Sequence, residues 1–190
     1  MRASKYVSRQ KSIEEQSLTL SRVPADPEIA VTGNSWIGRG IGSIRTMVRE
    51  SFASASQDIR LAAYSVNENP EELVRLLENQ LIRGVRILLV INRFESQPNQ
   101  AKKQLRELAR RNSNFIIKDF NPRDHREDLH AKLIVIDREI AIVGSANLTW
   151  KGLVMNHELM VRLHGKLAEK IAELIDRLAQ ESDKIQTAEE

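Results

Sequence analysis

The chain has 190 residues, 41% of them hydrophobic and 29% charged, enough for one globular domain with a substantial core. Twenty-nine Lys plus Arg against 26 Asp plus Glu give a net charge of +3, which permits an anionic partner without demanding one. There is no cysteine, which excludes disulfides, thiolate metal sites and a thiol nucleophile.

Residues 1–27 are polar, open on Lys5, Arg9 and Lys11 and close on VPADP, and read as a polar N-terminal arm. The opening lacks the apolar core of a secretory signal, and no apolar run is long enough to cross a bilayer. A cytoplasmic protein without stable membrane insertion is expected. Glu28 to Thr32 suits a first short strand. Gly33 to Gly42 is glycine-rich but lacks the Lys-Ser/Thr of a phosphate loop, so it reads as a turn into a helix striped by Ile41, Ile44, Met47, Val48 and Phe52.

DIRLAAYSV (58–66) reads as a strand, and Pro70-Glu71-Glu72 opens a helix with Leu73, Leu76, Leu77, Leu81 and Ile82 on one face and Gly84 at its end. VRILLVI (85–91) is a second strand, residues 97–112 a basic amphipathic helix, and NFIIKD (114–119) a third strand. Strand, helix, strand, helix, strand at these lengths predicts an α/β fold, with a mixed, largely parallel sheet and helices on both faces. HELMVRL (157–163) is a further strand. Residues 166–179 form a closing helix whose stripe is Leu167, Ile171, Leu174, Ile175 and Leu178. The expected division is a single domain over 28–182 and an acidic tail over 183–190.

Leu129 to Asn147, LHAKLIVIDREIAIVGSAN, carries the chemistry. Its apolar run predicts a strand in which His130 and Lys132, two residues apart, point to one face. Asp137-Arg138-Glu139 makes a polar turn, and a returning strand brings Ser145 and Asn147 back beside His130 and Lys132. An imidazole, a fixed cation and two hydrogen-bond donors then converge on a space suited to a phosphate. Arg123 and Arg126, in the loop just before, are candidates to reach the substrate backbone, or to pair with Asp124, Glu127 and Asp128. The four histidines show no metal-ligand spacing, and no metal or cofactor is expected.

His130, Lys132, Asp137, Gly144, Ser145 and Asn147 fill H-x-K-x-x-x-x-D-x-x-x-x-x-x-G-S-x-N without a gap or substitution. Residue frequencies give such a match a chance on the order of 10⁻⁸ per starting position. The segment resembles the signature of the phospholipase D superfamily, and the resemblance extends over roughly residues 41–162. It implies the phospholipase D-like fold. Glu158 stands where the family's functional glutamate follows the signature. Large members join two copies of the signature in one chain, whereas this chain carries one and resembles the small, endonuclease-like members of the Nuc type. The resemblance therefore implies a homodimer with two His130 rings meeting across a two-fold axis. One ring would attack phosphorus to form a phosphohistidine and the other would protonate the leaving oxygen, with imidazole titrating at roughly pH 6.5. Lys132 and Asn147 would stabilise the developing charge. Glu158 would fix the histidine tautomer and Ser145 would tighten the loop or donate a hydrogen bond, while Asp137 sits in the turn in a more structural position.

The expected activity is a metal-independent phosphodiesterase, foremost a nuclease acting on DNA or RNA. The alternatives are a phospholipase D or phosphatidyl transferase acting on lipid phosphodiesters, and a non-catalytic nucleic-acid-binding subunit of a larger, for example defence, complex. The lipid reading calls for an amphipathic membrane helix, which the polar segment 97–112 supplies poorly.

Overall fold

The computed structural model describes residues 26–38, 40–122 and 126–185. Arg123, nearly all of the polar arm and the last residues of the acidic tail lie outside the described residues.

In chain order the elements are β1 (Glu28–Val31), β2 (Gly42–Ser43), α1 (Ile44–Ser54), β3 (Asp58–Ala63), α2 (Glu71–Ile82), β4 (Arg86–Asn92), α3 (Asn99–Arg111), β5 (Phe115–Phe120), β6 (Leu133–Ile136), β7 (Ile140–Gly144), β8 (Leu159–His164), α4 (Lys166–Gln180) and β9 (Asp183–Lys184). A 3-10 turn (Phe94–Ser96) follows β4 and a π-helical turn (Lys151–Met155) precedes β8. The described strands form one sheet in the order β2-β1-β8-β7-β6-β3-β4-β5-β9.

The sheet is mixed. β3, β4 and β5 are parallel, as the strand–helix–strand pattern requires, and β1 and β2 pair parallel at the edge. From β3 towards β1 every pairing is antiparallel, because β6 and β7 are joined by a tight turn that holds no crossover helix. Parallel pairing is thus confined to β3–β5, whose connections are helical, and to the short β1–β2 pair at the edge. β9 pairs with β5, so Asp183 and Lys184 of the expected tail belong to the sheet.

Helices cover both faces. α1, α2 and α3 bury Phe52, Leu77, Leu105 and Leu108 against alternate residues of the central strands, such as Ile59, Leu61, Ile87, Leu89 and Ile134. α4 covers the opposite face, packing on Ala62, Val90, Val135 and Ala141. Its buried stripe is Ala168, Ala172, Ile175 and Ala179, while Leu167 and Leu174 are 55% and 53% exposed. The helix is therefore rotated from the leucine stripe the sequence suggested: small side chains let its backbone approach the sheet, and the leucines spread to the flanks. Ile41 and Ile82 also leave their predicted stripes for the surface.

The registers bring functional segments to one edge. The start of β6 lies opposite the end of β3 (Leu133 beside Ala62) and the end of β7 (Val143). The start of β8 lies opposite the ends of β7 and β1 (Met160 beside Gly144, Leu159 beside Val31). A crevice outside the carboxyl ends of parallel strands is where open α/β sheets bind ligands.

Candidate active site

His130 and Lys132 stand at this edge, immediately before β6 rather than within it. His130 is exposed, whereas Lys132 is only 7% exposed. The Lys132 ammonium lies 2.9 Å from His130 Nδ1 and donates to the His130 carbonyl at 2.6 Å. Burial lowers the Lys132 pKa from its ordinary value, and the nearby Glu158 carboxylate opposes that shift. Tyr64, just beyond β3, places its ring 4.7 Å from the His130 ring at a 56° tilt, and the Lys132 ammonium lies 5.3 Å from the Tyr64 ring centre. Three side chains from two strand ends thus fix one another.

The loop entering His130 is braced by the end of β4. Asn92 accepts from the Leu129 backbone N–H at 2.9 Å and donates to Asp128 at 3.1 Å. Arg93, in the left-handed region at φ 42°, pairs with Asp128 at 3.0 Å. Arg93, together with the Asn92 amide, holds the Asp128 carboxyl below its ordinary value. Gln97 is 8% exposed and ties three backbone groups together: it accepts from Val66 N–H at 3.2 Å and donates to the carbonyls of Asn92 at 2.7 Å and Tyr64 at 3.2 Å. Asp128 thus belongs to Arg93.

The returning strand supplies the other wall. Ser145 donates to the Glu158 carboxylate and accepts from Leu159 N–H at 3.2 Å, and Asn156 donates to the second Glu158 oxygen at 3.2 Å. Glu158 therefore engages Ser145 and Asn156, and reaches the His130 neighbourhood through the charge of Lys132. The carbonyl oxygen of the Asn147 side chain is buried and has no hydrogen-bond partner among the described residues. Next to this wall Gly33, at φ 93°, leaves room for His157, whose ring meets Trp36 edge-on at 5.4 Å. Here the glycine-rich stretch serves as a tight packing turn.

Asp137 is at the other end of β6, five residues (~17 Å of strand) from Lys132. Its carboxylate accepts four bonds at 2.8 Å, from Ser56 N–H, Ser56 Oγ, Gln57 N–H and Asp58 N–H. Burial works to raise its pKa, but these bonds outweigh it and the net shift is downward. The aspartate of the signature thus bolts the hairpin turn to the start of β3. Arg126 is exposed in the loop before His130, and Arg123 lies outside the described residues. The basic residues of α3 are largely engaged near that helix, Lys102 and Arg106 with Glu95 of the preceding 3-10 turn, and Arg110 and Arg111 with Glu107 on the helix itself. Among the described residues no group of three or more His, Asp or Glu could hold a metal ion, and no helix is long and apolar enough to cross a membrane.

A family model described as a cardiolipin synthase, phospholipase D-like domain matches residues 48–183. This chain belongs to the phospholipase D superfamily. The match runs from within α1 to the first residue of β9, and so takes in the whole site edge. A phospholipase D family member, Nuc from Salmonella typhimurium, superposes with a TM-score of 0.67 at 22% identity, covering 85% of this chain and 99% of that one. NucT from Helicobacter pylori superposes at 0.66 and 15% identity, covering 84% and 100%. In sequence the chain is 30% identical over 122 residues to the DISARM protein DrmC of Bacillus paralicheniformis, across 63% of this chain and 49% of that protein, so it spans about half the length of that relative.

The phospholipase D signature pointed to His130, Lys132, Ser145 and Asn147, and the fold gathers the strand ends that carry them. It did not point to Tyr64, Asn92 or Gln97. Tyr64 follows β3, Asn92 ends β4 and Gln97 lies just beyond it, at the position where α/β scaffolds place functional groups, and that was the available signal.

Proposed function

We propose that the protein is a metal-independent phosphodiesterase that cleaves nucleic acid through a phosphohistidine on His130. The observation that carries this reading is an exposed imidazole held at 2.9 Å from an otherwise buried ammonium, at the edge where Ser145 and Asn147 also end. Desolvating an ammonium is costly, and that cost is recovered when a phosphate oxyanion arrives to face it.

While the ammonium donates to Nδ1, the neutral ring carries its proton on Nε2. A bound phosphate draws Lys132 towards its oxygens and frees Nδ1 to take the proton, leaving the Nε2 lone pair to attack phosphorus. The P–O bond breaks as the N–P bond forms, and the leaving oxygen takes a proton from a second, protonated imidazole, which becomes neutral. That ring then removes a proton from water, whose oxygen displaces Nε2 and regenerates His130. Asn147 stabilises the equatorial oxygens, and Glu158 acts on the site through Lys132 and Ser145.

The second imidazole is His130 of another copy in a homodimer. Trp36, Ile37, Ile41 and Leu159, between 40% and 55% exposed, leave apolar surface on the segments that follow β1 and begin β8, and such surface suits an isologous contact. The same apolar surface, with the cardiolipin-synthase description of the matching family, favours a second reading in which the phosphodiester is that of a phospholipid.

One experiment separates these readings. Purified protein and its His130→Ala variant are incubated in EDTA with end-labelled DNA, RNA and phospholipid, and radiolabelled protein is trapped with alkali. Nucleic-acid cleavage with a label lost in the variant supports the reading, and cleavage abolished by EDTA or retained by the variant refutes it.

A further inference from the structure

A groove of about 760 Å³ opens between α1, α2 and the π-helical turn. It adjoins the site: Val66, two residues beyond Tyr64, bridges Leu148, the residue after Asn147, and the groove begins on the far side of that bridge. Its walls carry Arg45, Arg49, Arg75, Lys151 and Trp150. Arg45 is tied to Glu72 at 2.8 Å and lies 5.3 Å from the centre of the Trp150 ring. Arg49, Arg75 and Lys151 are exposed and form no ion pair with a described residue, unlike the basic groups of α3. Glu71 and Glu72 lie on the same lining, so the excess is two positive charges, from four basic and two acidic residues. Trp150 remains 44% exposed, with its indole beside Arg45 on the same lining as Arg49, Arg75 and Lys151.

We infer that this groove holds the single-stranded stretch flanking the scissile phosphate, with a base stacked on Trp150 and backbone phosphates against Arg49, Arg75 and Lys151. Unpaired cations spaced along a channel match a phosphate backbone, and an exposed indole among them matches an unstacked base. A duplex hides its base faces and offers Trp150 nothing to stack on. A phosphate monoester would occupy the cations and leave the indole idle. This inference rests on the nucleic-acid reading above and adds strand preference to it.

The test uses the full chain carrying His130→Ala, so that binding is read without cleavage. A fluorescent single-stranded DNA of about a dozen nucleotides, its duplex, and vesicles containing anionic phospholipid are each titrated, and fluorescence anisotropy or sedimentation gives Kd. The single strand is expected to bind at least tenfold tighter than the duplex. Trp150→Ala is expected to weaken it about tenfold, and Trp150→Phe, which keeps an aromatic face, by no more than about threefold. Arg49→Ala with Arg75→Ala is expected to lower the slope of log Kd against log salt by about 1.4, or 0.7 per phosphate contact. Equal single-strand affinity in Trp150→Ala, equal binding of duplex, or vesicle binding that depends on Trp150 while DNA binding does not, would each overturn the inference. Hydrolysis of bis(p-nitrophenyl) phosphate by the unmodified chain reports separately on the chemistry, because that diester is too small to need the groove. Its failure counts against the catalytic reading and leaves the groove to be judged on binding.

Discussion

The Lys132 ammonium donates to the carbonyl of His130 and sits 2.9 Å from that residue's own Nδ1, so a buried cation and an exposed imidazole two positions apart are locked together. The lock has a cost. Burial lowers the Lys132 pKa, so folding penalises its charged form. With the folded value below the ordinary value of about 10.4, the folded chain binds fewer protons between the two, and stability rises with pH across that window. Lys132→Met is therefore expected to melt no lower than the parent near neutrality and to lose the parent's gain in stability at alkaline pH. Phosphodiesterase activity should fall by roughly 10²–10³-fold, as for loss of one oxyanion donor. Thermal melts across pH, with a cleavage assay, check both halves.

Asp137 is expected to behave in the opposite way. Asparagine keeps its shape but loses the charge that four donors at 2.8 Å converge on. Asp137→Asn should cost about 2–3 kcal/mol of stability, with activity retained well below the melting temperature. Because the folded pKa lies below the ordinary 3.8, the carboxylate's contribution is complete above that value and disappears as pH falls through the depressed one. Denaturant melts at neutral pH and below 3.8 should therefore show the variant's deficit shrinking in acid. A loss of turnover with unchanged stability would instead place Asp137 in the chemistry.

Tyr64 holds the His130 ring by contact alone. Tyr64→Leu is expected to lower kcat about tenfold with little change in KM, and Tyr64→Phe to stay near the parent, since the ring makes the contacts with His130 and Lys132. Steady-state kinetics on the proposed substrates distinguish this from a binding role, which would move KM.

Gly144, between the signature's strand and Ser145, tests the packing of β7 on β8. A Cβ there would overlap the Leu159 carbonyl oxygen and come within 2.8 Å of Met160 Cα. Both are backbone atoms, which yield less readily than a side chain. Gly144→Ala is expected to destabilise the fold by about 2–3 kcal/mol and to displace Ser145 from Glu158, lowering activity as well. A variant with parental melting temperature and turnover would show that the two strands can part without consequence.

The sequence by itself determined the principal strands and helices, because periodicity and the Gly, Pro and acidic markers at element ends act over a few residues, whereas the two-residue strands β2 and β9 exist only through their pairing. It also determined the identity of the signature residues, because their spacing is a property of the chain alone. Strand order, the rotation of α4 onto its alanines and the partners of each site residue were decided by tertiary structure. Gln97 meets Tyr64 33 residues away and Asn92 meets Leu129 37 residues away, contacts that no local pattern encodes. Asp137 and His130 share one signature, yet the strand between them carries one to a structural bolt and the other to the open edge. Side-chain chemistry travels with the sequence, whereas burial and proximity, which decide what that chemistry can do, exist only once the sheet has closed.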